Sequence, residues 1–503
     1  MAIRAPITEG GGTAECLSAR LLNRLPATVL KPSYDRVQIT PGIVHLGVGA
    51  FHRAHQAAYI DDCLGDGETG WGIVGASLRS SDTRDALEPQ DGLYTLAVRS
   101  GETESLRVVG AILSLLVAPE NPAVLLDAMA DPRTRIVTLT VTEKAYLRNA
   151  AGDLDASHPD VVADLANPRA PRTAHGFLLE ALARRRAAGT PPFTVLCCDN
   201  LPANGATLRR LLIQFAELRN AELARFVRDE VAFPSSMVDR IVPATTGADR
   251  ARVAAELGVA DAWPVMTEPF CQWVVEDNFP AGRPAWERFG VTMVRDVTPF
   301  EDMKLRLLNG SHSSIAYLGL LSGHETVAAA FADPAIRQFV DGLWAEAIPT
   351  LPEGGGLDPQ AYIGELADRF ANTALAHRTA QIANDGSQKL PQRIVASALE
   401  RAAAGASADH LMLAVAAWIA AAEARGGALP AGHFADPLDE GLAAIFSRKS
   451  SARDTVDGVF DLAGFAKGSA HRGRLAEITA AHLETLRSKG PAAAMASLQG
   501  VRS

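Results

Sequence analysis

The pattern of apolar and polar positions changes once along the chain, near residue 296. Before this point, short apolar runs alternate with segments whose apolar residues recur at the spacing of an α-helix. Strands that alternate with helices predict a mostly parallel, doubly wound sheet, an α/β fold. The predicted strands are 42–49, 71–78, 94–98, 105–113, 135–141 and 193–198, and the predicted helices are 54–64, 122–130, 174–188 and 208–218.

From residue 299 onward nearly all of the chain has helical periodicity, with glycine, proline and polar residues between most segments. We therefore predict an α/β domain, 1–290, followed by a largely α-helical domain, 291–503, with the boundary in the region 285–298. The predicted helices of the second domain are 301–321, 325–331, 335–347, 361–376, 392–403, 411–424 and 475–486.

Composition and charge exclude several classes of function. The net charge of −10 argues against binding to nucleic acid or to an anionic membrane, since both need a basic face. The longest apolar run, 411–422, is too short to span a bilayer, and the N-terminus lacks the apolar core of a signal peptide. The five cysteines lack zinc-binding spacing, which predicts reduced thiols, no bound metal and a cytoplasmic location.

The first candidate site is a glycine loop in the stretch IVHLGVGAFHRAHQ. Gly47 and Gly49 follow a strand, where the glycines of a dinucleotide fold bring a pyrophosphate close to a helix N-terminus. A glycine pair alone is weak evidence, and His52 occupies the place of an expected small residue. After the second strand, Asp82 would hold the ribose of NAD, whereas Arg79 would tolerate the 2′-phosphate of NADP.

Two later polar clusters are also candidates. Asp199 and Asn200 follow the strand 193–198, at the edge where open α/β sheets bind ligands; the alternative is a turn with a helix cap. Asp239 and Arg240 stand beside an apolar stretch, where the alternative is a buried ion pair.

The segment FEDMKLRLLNGSHSSIAYLG, 300–319, combines the largest number of functional side chains. In a straight α-helix His312 lies about 80° and Asn309 about 140° from Lys304, so the three share one face. Burial lowers the pKa of an amine, and a lysine on an apolar face can therefore act as a general base. The alternatives are a lysine whose ammonium reaches water and a histidine with a structural role. Gly310 destabilises a helix interior by about 1 kcal/mol, which we interpret as room for a ligand.

The last candidate, HRTAQIANDGSQKLPQR at 377–393, is polar and has a turn at Asp385 and Gly386. Its cations, Lys389 and Arg393, could bind an anion or face solvent. The pattern alone leaves both interpretations open.

Seven stretches of the chain, five of which contain the candidates above, occur together in one known family. In chain order GVGAFHRAHQ, TVTEKAY, CDNLPANG, VDRI, EPFCQWVVEDNFP, KLRLLNGSH and DGSQKLPQR resemble motifs of the mannitol dehydrogenase family, the polyol-specific long-chain dehydrogenases. The resemblance extends over residues 40–395. It implies a Rossmann-type N-terminal domain, a helical C-terminal domain, and metal-independent hydride transfer with NAD as the cofactor.

The resemblance also implies a role for each matched residue. Lys304 resembles the catalytic lysine, and Asn200 and Asn309 resemble the amides that hold the reacting oxygen. His312 resembles the histidine that positions the substrate. The other matched positions are Asp239 and Lys389 at the substrate, Gly47, Val48, Gly49, Ala50, Phe51 and His52 in the cofactor loop, and Asp82 at the ribose.

Two positions favour a sugar acid as the substrate. Arg306 and Gln381 stand where mannitol 2-dehydrogenases have a plain residue and an arginine, and the sequence around them is more similar to members that reduce D-fructuronate to D-mannonate. With Lys389 and Arg393, they would contact a substrate carboxylate. The alternative is a polyol dehydrogenase that acts on D-mannitol and D-fructose or on D-arabinitol and D-xylulose.

A protein of a different class, a nucleotide-binding regulator, would bind the cofactor without oxidising NADH on any ketose or keto-uronate. The joint presence of Lys304, Asn309 and His312 argues against this alternative. The expected partner is therefore a small-molecule sugar acid or polyol, and the resemblance is consistent with a monomer.

Overall fold

A computed structural model describes residues 15–149, 151–352, 354, 356–374, 377–425, 427, 429 and 432–498. The chain divides into two compact units, Met1–Val297 and Thr298–Ser503. Residues 291–297, which the sequence pattern assigns to the helical domain, contain the strand Thr292–Val294 of the first unit. A three-residue strand is too short to show a period in the sequence.

Strands and helices alternate along most of the first unit. The strands are β1 (Pro41–Leu46), β2 (Gly72–Ser77), β3 (Tyr94–Ser100), β4 (Thr103–Val109), β5 (Ile112–Val117), β6 (Ile136–Leu139), β7 (Thr194–Cys197), β8 (Ser236–Asp239), β9 (Val265–Thr267), β10 (Gln272–Glu276) and β11 (Thr292–Val294). The α-helices are α1 (Ala50–Ala54), α2 (Gln56–Gly65), α3 (Asp82–Leu87), α4 (Pro122–Ala130), α5 (Pro159–Ala166), α6 (Ala174–Ala187), α7 (Asn204–Arg219), α8 (Ala221–Glu230) and α9 (Gly247–Leu257).

The centre of the first unit is a five-stranded sheet with the order β5-β2-β1-β6-β7 and parallel pairing throughout. Successive residues of a strand point to opposite faces. Ile43 and Ile136 accordingly belong to one apolar cluster with residues of α2, whereas Val44 and Val137 belong to another with residues of α4, α6 and α7. Helices on both faces make this a doubly wound α/β fold, which confirms the predicted fold class.

Two three-stranded sheets, β4-β3-β9 and β11-β10-β8, lie outside the parallel sheet. β3 and β4 pair antiparallel as a hairpin. The run 105–113, predicted as one strand, therefore divides between the end of β4 and the start of β5. Gly110 stands at the break, where an added Cβ would lie 2.9 Å from Cγ of Pro32. The close packing at this point separates two strands that are continuous in apolar character.

The second unit is built from helices. They are α10 (Thr298–Met303), α11 (Gly310–Ser322), α12 (Val327–Phe331), α13 (Pro334–Ala347), α14 (Pro359–Ala371), α15 (Thr379–Ile382), α16 (Gly386–Leu390), α17 (Ala396–Ala403), α18 (Asp409–Ala424), α19 (Asp439–Phe446), α20 (Ala452–Ala463) and α21 (Arg472–Ser497). The apolar α18 packs against α11, α13 and α21, and it forms the centre of this unit.

Two π-helical turns interrupt these helices. The first, Lys304–Asn309, joins α10 to α11, and the second, Pro391–Val395, joins α16 to α17. The sequence pattern predicts one continuous helix over 301–321, which the structure divides into three segments. A π-helical turn adds one residue to the hydrogen-bonded ring and leaves the apolar composition unchanged, so a periodicity argument does not detect it.

Within the described ranges, no helix combines the length and the apolar character needed to cross a membrane. The same part of the chain brings together no group of three or more histidine, cysteine, aspartate or glutamate side chains that could hold a metal ion. Cys63, Cys197 and Cys198 are buried, and none of the three forms a disulfide with a described residue.

Candidate active site

The glycine loop between β1 and α1 depends on one left-handed residue and on close backbone contacts. Gly47 has a φ of 95°, and a Cβ at this position would lie 2.2 Å from the carbonyl oxygen of Thr140. At Gly49, which precedes Ala50 and Phe51 of α1, the nearest atom to an added Cβ is 3.9 Å away. The loop is therefore packed tightly at its first glycine and open at its second, where a ligand can approach the backbone.

His45 holds the glycine loop in this conformation. Its Nδ1 lies 2.7 Å from Oγ1 of Thr138, and its Nε2 lies 3.1 Å from the carbonyl oxygen of Gly47. Because a carbonyl oxygen only accepts, Nε2 donates to it, and Nδ1 accepts from the threonine hydroxyl. The hydroxyl of Thr140 donates to the same carbonyl oxygen at 2.8 Å. Two donors thus fix the carbonyl group of the left-handed residue.

His52 supports the loop by packing. Its side chain is 1 % exposed, and its ring stacks on that of His45 with the centroids 3.3 Å apart and 11° between the planes. Burial and then the neighbouring His45 lower the pKa of His52 well below its usual value, and burial lowers the pKa of His45 to about 3. Both rings are neutral. The ring is enclosed by the fold, and the place of His52 in the cofactor loop stays a prediction.

Asp82 is the first residue of α3 and is exposed. Its carboxylate accepts a hydrogen bond from Oγ of Ser80 at 3.0 Å. The hydroxyl of the next residue, Thr83, lies 3.5 Å from the carbonyl oxygen of Val48, which places this segment beside the glycine loop. Arg79 is exposed as well. The side chains of Asp82 and Arg79 are therefore both accessible to a ligand in this region.

Asp199 connects two segments at the carboxyl edge of the parallel sheet. It follows β7 and accepts hydrogen bonds from the hydroxyl of Tyr146 at 2.7 Å and from the N–H groups of Val141 and Thr142 at 3.0 Å each. Burial raises the pKa of Asp199, and these donors oppose the shift. Asp199 therefore has a structural role, whereas the next residue, Asn200, is exposed.

Sequence reasoning missed Asn204, which fixes the loop that contains Asn200. Its Nδ2 donates to the carbonyl oxygens of Asp199 at 3.0 Å and Ser236 at 2.7 Å, and its Oδ1 accepts from the N–H of Ser236 at 2.9 Å. The signal in the sequence is an asparagine at the start of the helix that follows the polar turn, where an amide can bridge backbone groups.

The buried Asp239 ends β8 and is 5 % exposed. Its neighbour Arg240 donates to the backbone carbonyl oxygens of Ala54 and Glu268. The arginine thus connects β8 to α1 and to the segment after β9, and the carboxylate is held at the carboxyl end of its strand.

Lys304 and Asn309 are the first and the last residue of the first π-helical turn. In a π-helix each N–H bonds to the carbonyl group five residues earlier, so residues five apart lie one turn apart on the same face. Asn309 is therefore closer in angle to Lys304 than the roughly 140° of a straight α-helix. Lys304 is 8 % exposed. The local backbone thus aligns a buried amine with an amide, and π-helical turns of this kind recur at functional sites.

Gly310 allows the two π-helical turns to pack closely, because it has no Cβ. A Cβ at this position would lie 3.0 Å from the carbonyl oxygen of Arg393 and 3.4 Å from Cδ1 of Ile394, both in the second turn. The interpretation of Gly310 as room for a ligand is wrong, because the backbone of Pro391–Val395 fills that space.

His312 is a buried ring on α11, and its Nε2 has no hydrogen-bond partner among the described residues. The rings of His312 and His377 pack edge to face, with their centroids 4.9 Å apart. Burial lowers the pKa of His312 well below its usual value. After burial, the next causes of the lowered pKa are the basic side chains of His377, Arg369, Arg393 and Lys389.

The structure gives Arg306 a partner within the protein. Its guanidinium pairs with both carboxylate oxygens of Glu400, at 2.9 and 3.0 Å, and donates to the carbonyl oxygen of Thr350. Glu400 thus engages the fork of Arg306, and the expected contact of Arg306 with the substrate stays a prediction. Gln381, the other residue that favoured a sugar acid, is exposed on α15.

Lys389 and Arg393 make their contacts within the second unit. Nζ of Lys389 donates to the carbonyl oxygen of Asn384 at 2.6 Å and lies 3.9 Å from Oδ2 of Asp385. Nη1 of Arg393 donates to Oγ of Ser313 on α11 at 3.0 Å. Arg393 thus brings a positive charge to the helix that contains the buried imidazole.

Two family models match the chain, one in each unit. Residues 41–288 match the model described as the mannitol dehydrogenase Rossmann domain. Residues 296–485 match the model described as the mannitol dehydrogenase C-terminal domain. Together the two matches include most of the chain and nearly all of the residues discussed above.

Similar proteins have different names at nearly equal similarity. A mannitol 2-dehydrogenase of Cereibacter sphaeroides is 45% identical over 433 residues, which are 85% of this chain and 90% of the relative. A D-mannonate oxidoreductase of Escherichia coli (strain K12) is 46% identical over 398 residues, 78% of this chain and 82% of the relative. The solved structure of Pseudomonas fluorescens mannitol 2-dehydrogenase in a ternary complex with NAD and D-mannitol is 38% identical, with a TM-score of 0.84 over 96% of this chain and 99% of that chain.

Proposed function

The chain belongs to the mannitol dehydrogenase family, and from this premise we propose that it interconverts D-fructuronate and D-mannonate with NAD as the cofactor. Family membership makes it an oxidoreductase that acts on a CH–OH group. The substrate and the cofactor are the proposed part. The alternative pairs are D-mannitol with D-fructose and D-arabinitol with D-xylulose, as for a mannitol 2-dehydrogenase or a related enzyme.

The glycine loop fits a dinucleotide. The open space beside Gly49 lets a pyrophosphate approach the backbone at the start of α1, while Gly47 fixes the turn. The exposed Asp82 would accept hydrogen bonds from the ribose hydroxyl groups. When bound, the nicotinamide supplies the hydride in reduction and takes it in oxidation.

Lys304 is the proposed general acid and base. In reduction its ammonium group donates a proton to the oxygen of the keto group, and in oxidation its neutral amine removes the proton of the hydroxyl group. The side-chain amides of Asn200 and Asn309 donate hydrogen bonds to the same oxygen, where negative charge develops. The imidazole of His312 and the carboxylate of Asp239 would orient the substrate hydroxyl groups.

The observation that supports this proposal best is the π-helical turn Lys304–Asn309. It holds a buried amine and an amide on one face of the chain, one turn apart. His312 follows in the first turn of α11, where its ring is buried.

The test is NADH oxidation with D-fructuronate, D-tagaturonate and D-fructose under the same conditions. D-fructuronate and D-fructose differ only in a carboxylate in place of a hydroxymethyl group. We expect kcat/KM for D-fructuronate to exceed that for D-fructose by about 100-fold or more, because a buried charge that loses its partner discriminates strongly. The reverse preference would identify a neutral-polyol dehydrogenase. Tight NADH binding without oxidation on any of the three would identify a nucleotide-binding regulator and overturn the proposal.

A further inference from the structure

We propose that the ion pair between Arg84 and Glu120 strengthens the preference of the protein for NAD over NADP, because it holds Arg84 away from the 2′-phosphate that distinguishes the two cofactors. This inference rests on the proposed binding of the cofactor at the glycine loop, with the ribose at Asp82. Both residues of the pair belong to the first unit. The seven family motifs include neither of them.

The pair lies where the segments after β2 and β5 meet. These strands are parallel neighbours, and their last residues, Ser77 and Val117, stand opposite each other. The N–H of Ala118 donates to the carbonyl oxygen of Ser77 at 2.9 Å, which joins the two strand ends. Arg84 is on α3, which follows β2, and Glu120 is in the turn before α4. In a dinucleotide fold the ribose 2′-hydroxyl group lies at the end of the second strand, so the pair stands in the region where the two cofactors differ.

The helix α3 also lies beside the glycine loop. The hydroxyl of Thr83, the residue between Asp82 and Arg84, is 3.5 Å from the carbonyl oxygen of Val48. Residues two apart on a helix point to different sides. Arg84 accordingly turns to the segment after β5, whereas the carboxylate of Asp82 remains exposed. An arginine near the ribose acid is the group that accommodates a 2′-phosphate in enzymes that use NADP, and here that arginine is held elsewhere.

Two acids of the chain hold the guanidinium group of Arg84. Glu120 accepts hydrogen bonds from Nη1 and, at 3.2 Å, from Nη2. Asp85 accepts from Nε at 3.0 Å and from Nη2 at 2.7 Å. The hydroxyl of Ser81 donates to Asp85 at 2.6 Å and fixes that carboxylate. One cation with two anions carries a net negative charge, so this cluster repels a phosphate group.

Stability does not account for the contact with Glu120. The side chains of Asp85 and Glu120 are 56% and 52% exposed, and ion pairs exposed to this extent stabilise a fold only slightly. What a two-pronged contact with a carboxylate does provide is a fixed direction for the guanidinium group. Glu120 is therefore a positioning residue that acts through Arg84.

The remaining charges near the ribose do not favour a phosphate. Arg79 is exposed in the segment after β2, and Asp82 in the same segment opposes its charge. A phosphate monoester carries a charge of about −1.5 to −2 at pH 7. A single arginine can offset the acid but not the phosphate as well. A second cation is therefore needed for NADP, and the ion pair with Glu120 withholds Arg84 from that task.

The experiment measures Kd for NADH and for NADPH by fluorescence titration of the full-length protein. The wild type should bind NADPH about 100-fold more weakly, because Asp82 would bond to the ribose hydroxyl group and repel the phosphate. Glu120→Gln puts a neutral amide at Nη1 while Asp85 still holds Nε, so Kd for NADPH should fall by about 10-fold. This gain should shrink in about 1 M salt, where exposed charges are screened within about 3 Å.

A second substitution shows whether the gain comes from Arg84. In the variant Arg84→Gln, Glu120→Gln, Kd for NADPH should return to within about threefold of the wild-type value. Asp127→Asn is the matched control, because Asp127 is another exposed acid of the first unit and pairs with Arg184 at 3.1 Å. It should leave the ratio of the two Kd values unchanged. Thermal unfolding of each variant checks that the fold is intact.

Four results would overturn the inference while NADH binding stands. The wild type binds NADPH as tightly as NADH; Glu120→Gln leaves Kd for NADPH unchanged; the gain persists without Arg84, which means that Glu120 acts by its own charge; or Asp127→Asn gives an equal gain. Absence of NADH binding to the wild type instead contradicts the proposed function, so the two failures are distinguishable.

Discussion

Each unit contains a pair of neutral histidine rings, and the two pairs are built in opposite ways. His45 and His52 in the first unit stack face to face at 3.3 Å, and both nitrogens of His45 have partners within the chain. His312 and His377 in the second unit meet edge to face at 4.9 Å, and each has a buried nitrogen without a partner among the described residues. The first pair fixes a backbone loop, and the second packs on the aromatic ring of Phe370.

A lowered pKa does not distinguish these roles, because burial is the largest cause for all four rings. The ring contacts distinguish them. His45 bonds to the backbone of the glycine loop, and His52 stacks on His45. His312 packs instead on Phe370, with the ring centroids 5.2 Å apart. Burial and a lowered pKa therefore do not by themselves define what a histidine does; its contacts do.

The largest expected effect separates chemistry in the second unit from cofactor binding in the first. Lys304→Ala should lower kcat by about 1,000-fold, because the general acid and base is lost. The Kd for NADH, measured by fluorescence titration, should change by less than about threefold. Lys467→Ala removes an exposed lysine of the same unit as the control. Near-normal turnover of Lys304→Ala would show that the lysine has no catalytic role.

A substitution in the glycine loop should weaken NADH binding, which Lys304→Ala should leave nearly unchanged. Gly47→Ala places a Cβ 2.2 Å from a carbonyl oxygen at a φ of 95°, so the loop must move. NADH binding should weaken by more than about 30-fold, that is by about 2 kcal/mol. Gly67→Ala is the matched control, because Gly67 has a φ of 98° and no atom within 4 Å of an added Cβ. It should cost about 1–2 kcal/mol of stability and leave NADH affinity intact. Equal effects of the two variants on NADH affinity would contradict the role of the close contact.

Within the first histidine pair, only one ring should matter for the loop. His45→Phe removes the donor to Gly47 and the acceptor for Thr138, so we expect a loss of about 1–3 kcal/mol in the free energy of unfolding and weaker NADH binding. His52→Phe keeps the stacked ring and removes two unpartnered nitrogens, so its stability should be equal or higher. Urea unfolding and NADH titration measure both. A larger loss for His52→Phe than for His45→Phe would reverse the assignment.

The smallest expected effect is a change in the pH dependence of stability. The folded protein holds the pKa of His52 below the usual 6.5, so the unfolded chain binds more protons and stability falls as the pH falls below about 6.5. For His45 the loss continues to a pH of about 3. His52→Phe should therefore make the free energy of unfolding depend less steeply on pH below about pH 6.5. An unchanged slope would mean that His52 is not protonated on unfolding in this range.

The order of strands and helices could be predicted because apolar periodicity determines which segments pair and pack. The helix Pro122–Ala130 and the helix Ala174–Ala187 agree with the predicted 122–130 and 174–188 almost residue by residue. The hairpin of β3 and β4 could not be separated from the parallel sheet, since strands of both kinds share the same apolar character. The family prediction is confirmed over both units.

The contacts within the candidate site were harder to predict because they join residues far apart in the chain. Arg306 meets Glu400, 94 positions away, and no local pattern indicates that pairing. The carbonyl group of Arg393 fills the space beside Gly310 that the sequence favours as room for a ligand. His52 belongs to the signature of the loop but lies under it. Sequence therefore identifies the segments that matter, and the fold decides which side chains of each segment face outward.

The π-helical turn Lys304–Asn309 can be regarded as an α-helix with one residue inserted. Deleting one residue from it would restore regular α-helical bonding and leave the flanking residues close to their present faces, because the extra residue is accommodated within the widened turn. His312 would stay on the face of Lys304, since about seven residues of a regular α-helix turn by about 700°, nearly two full turns. A deletion within α11 itself would instead rotate everything that follows by about 100°. The turn is therefore the place where this helix should best tolerate the loss of one residue.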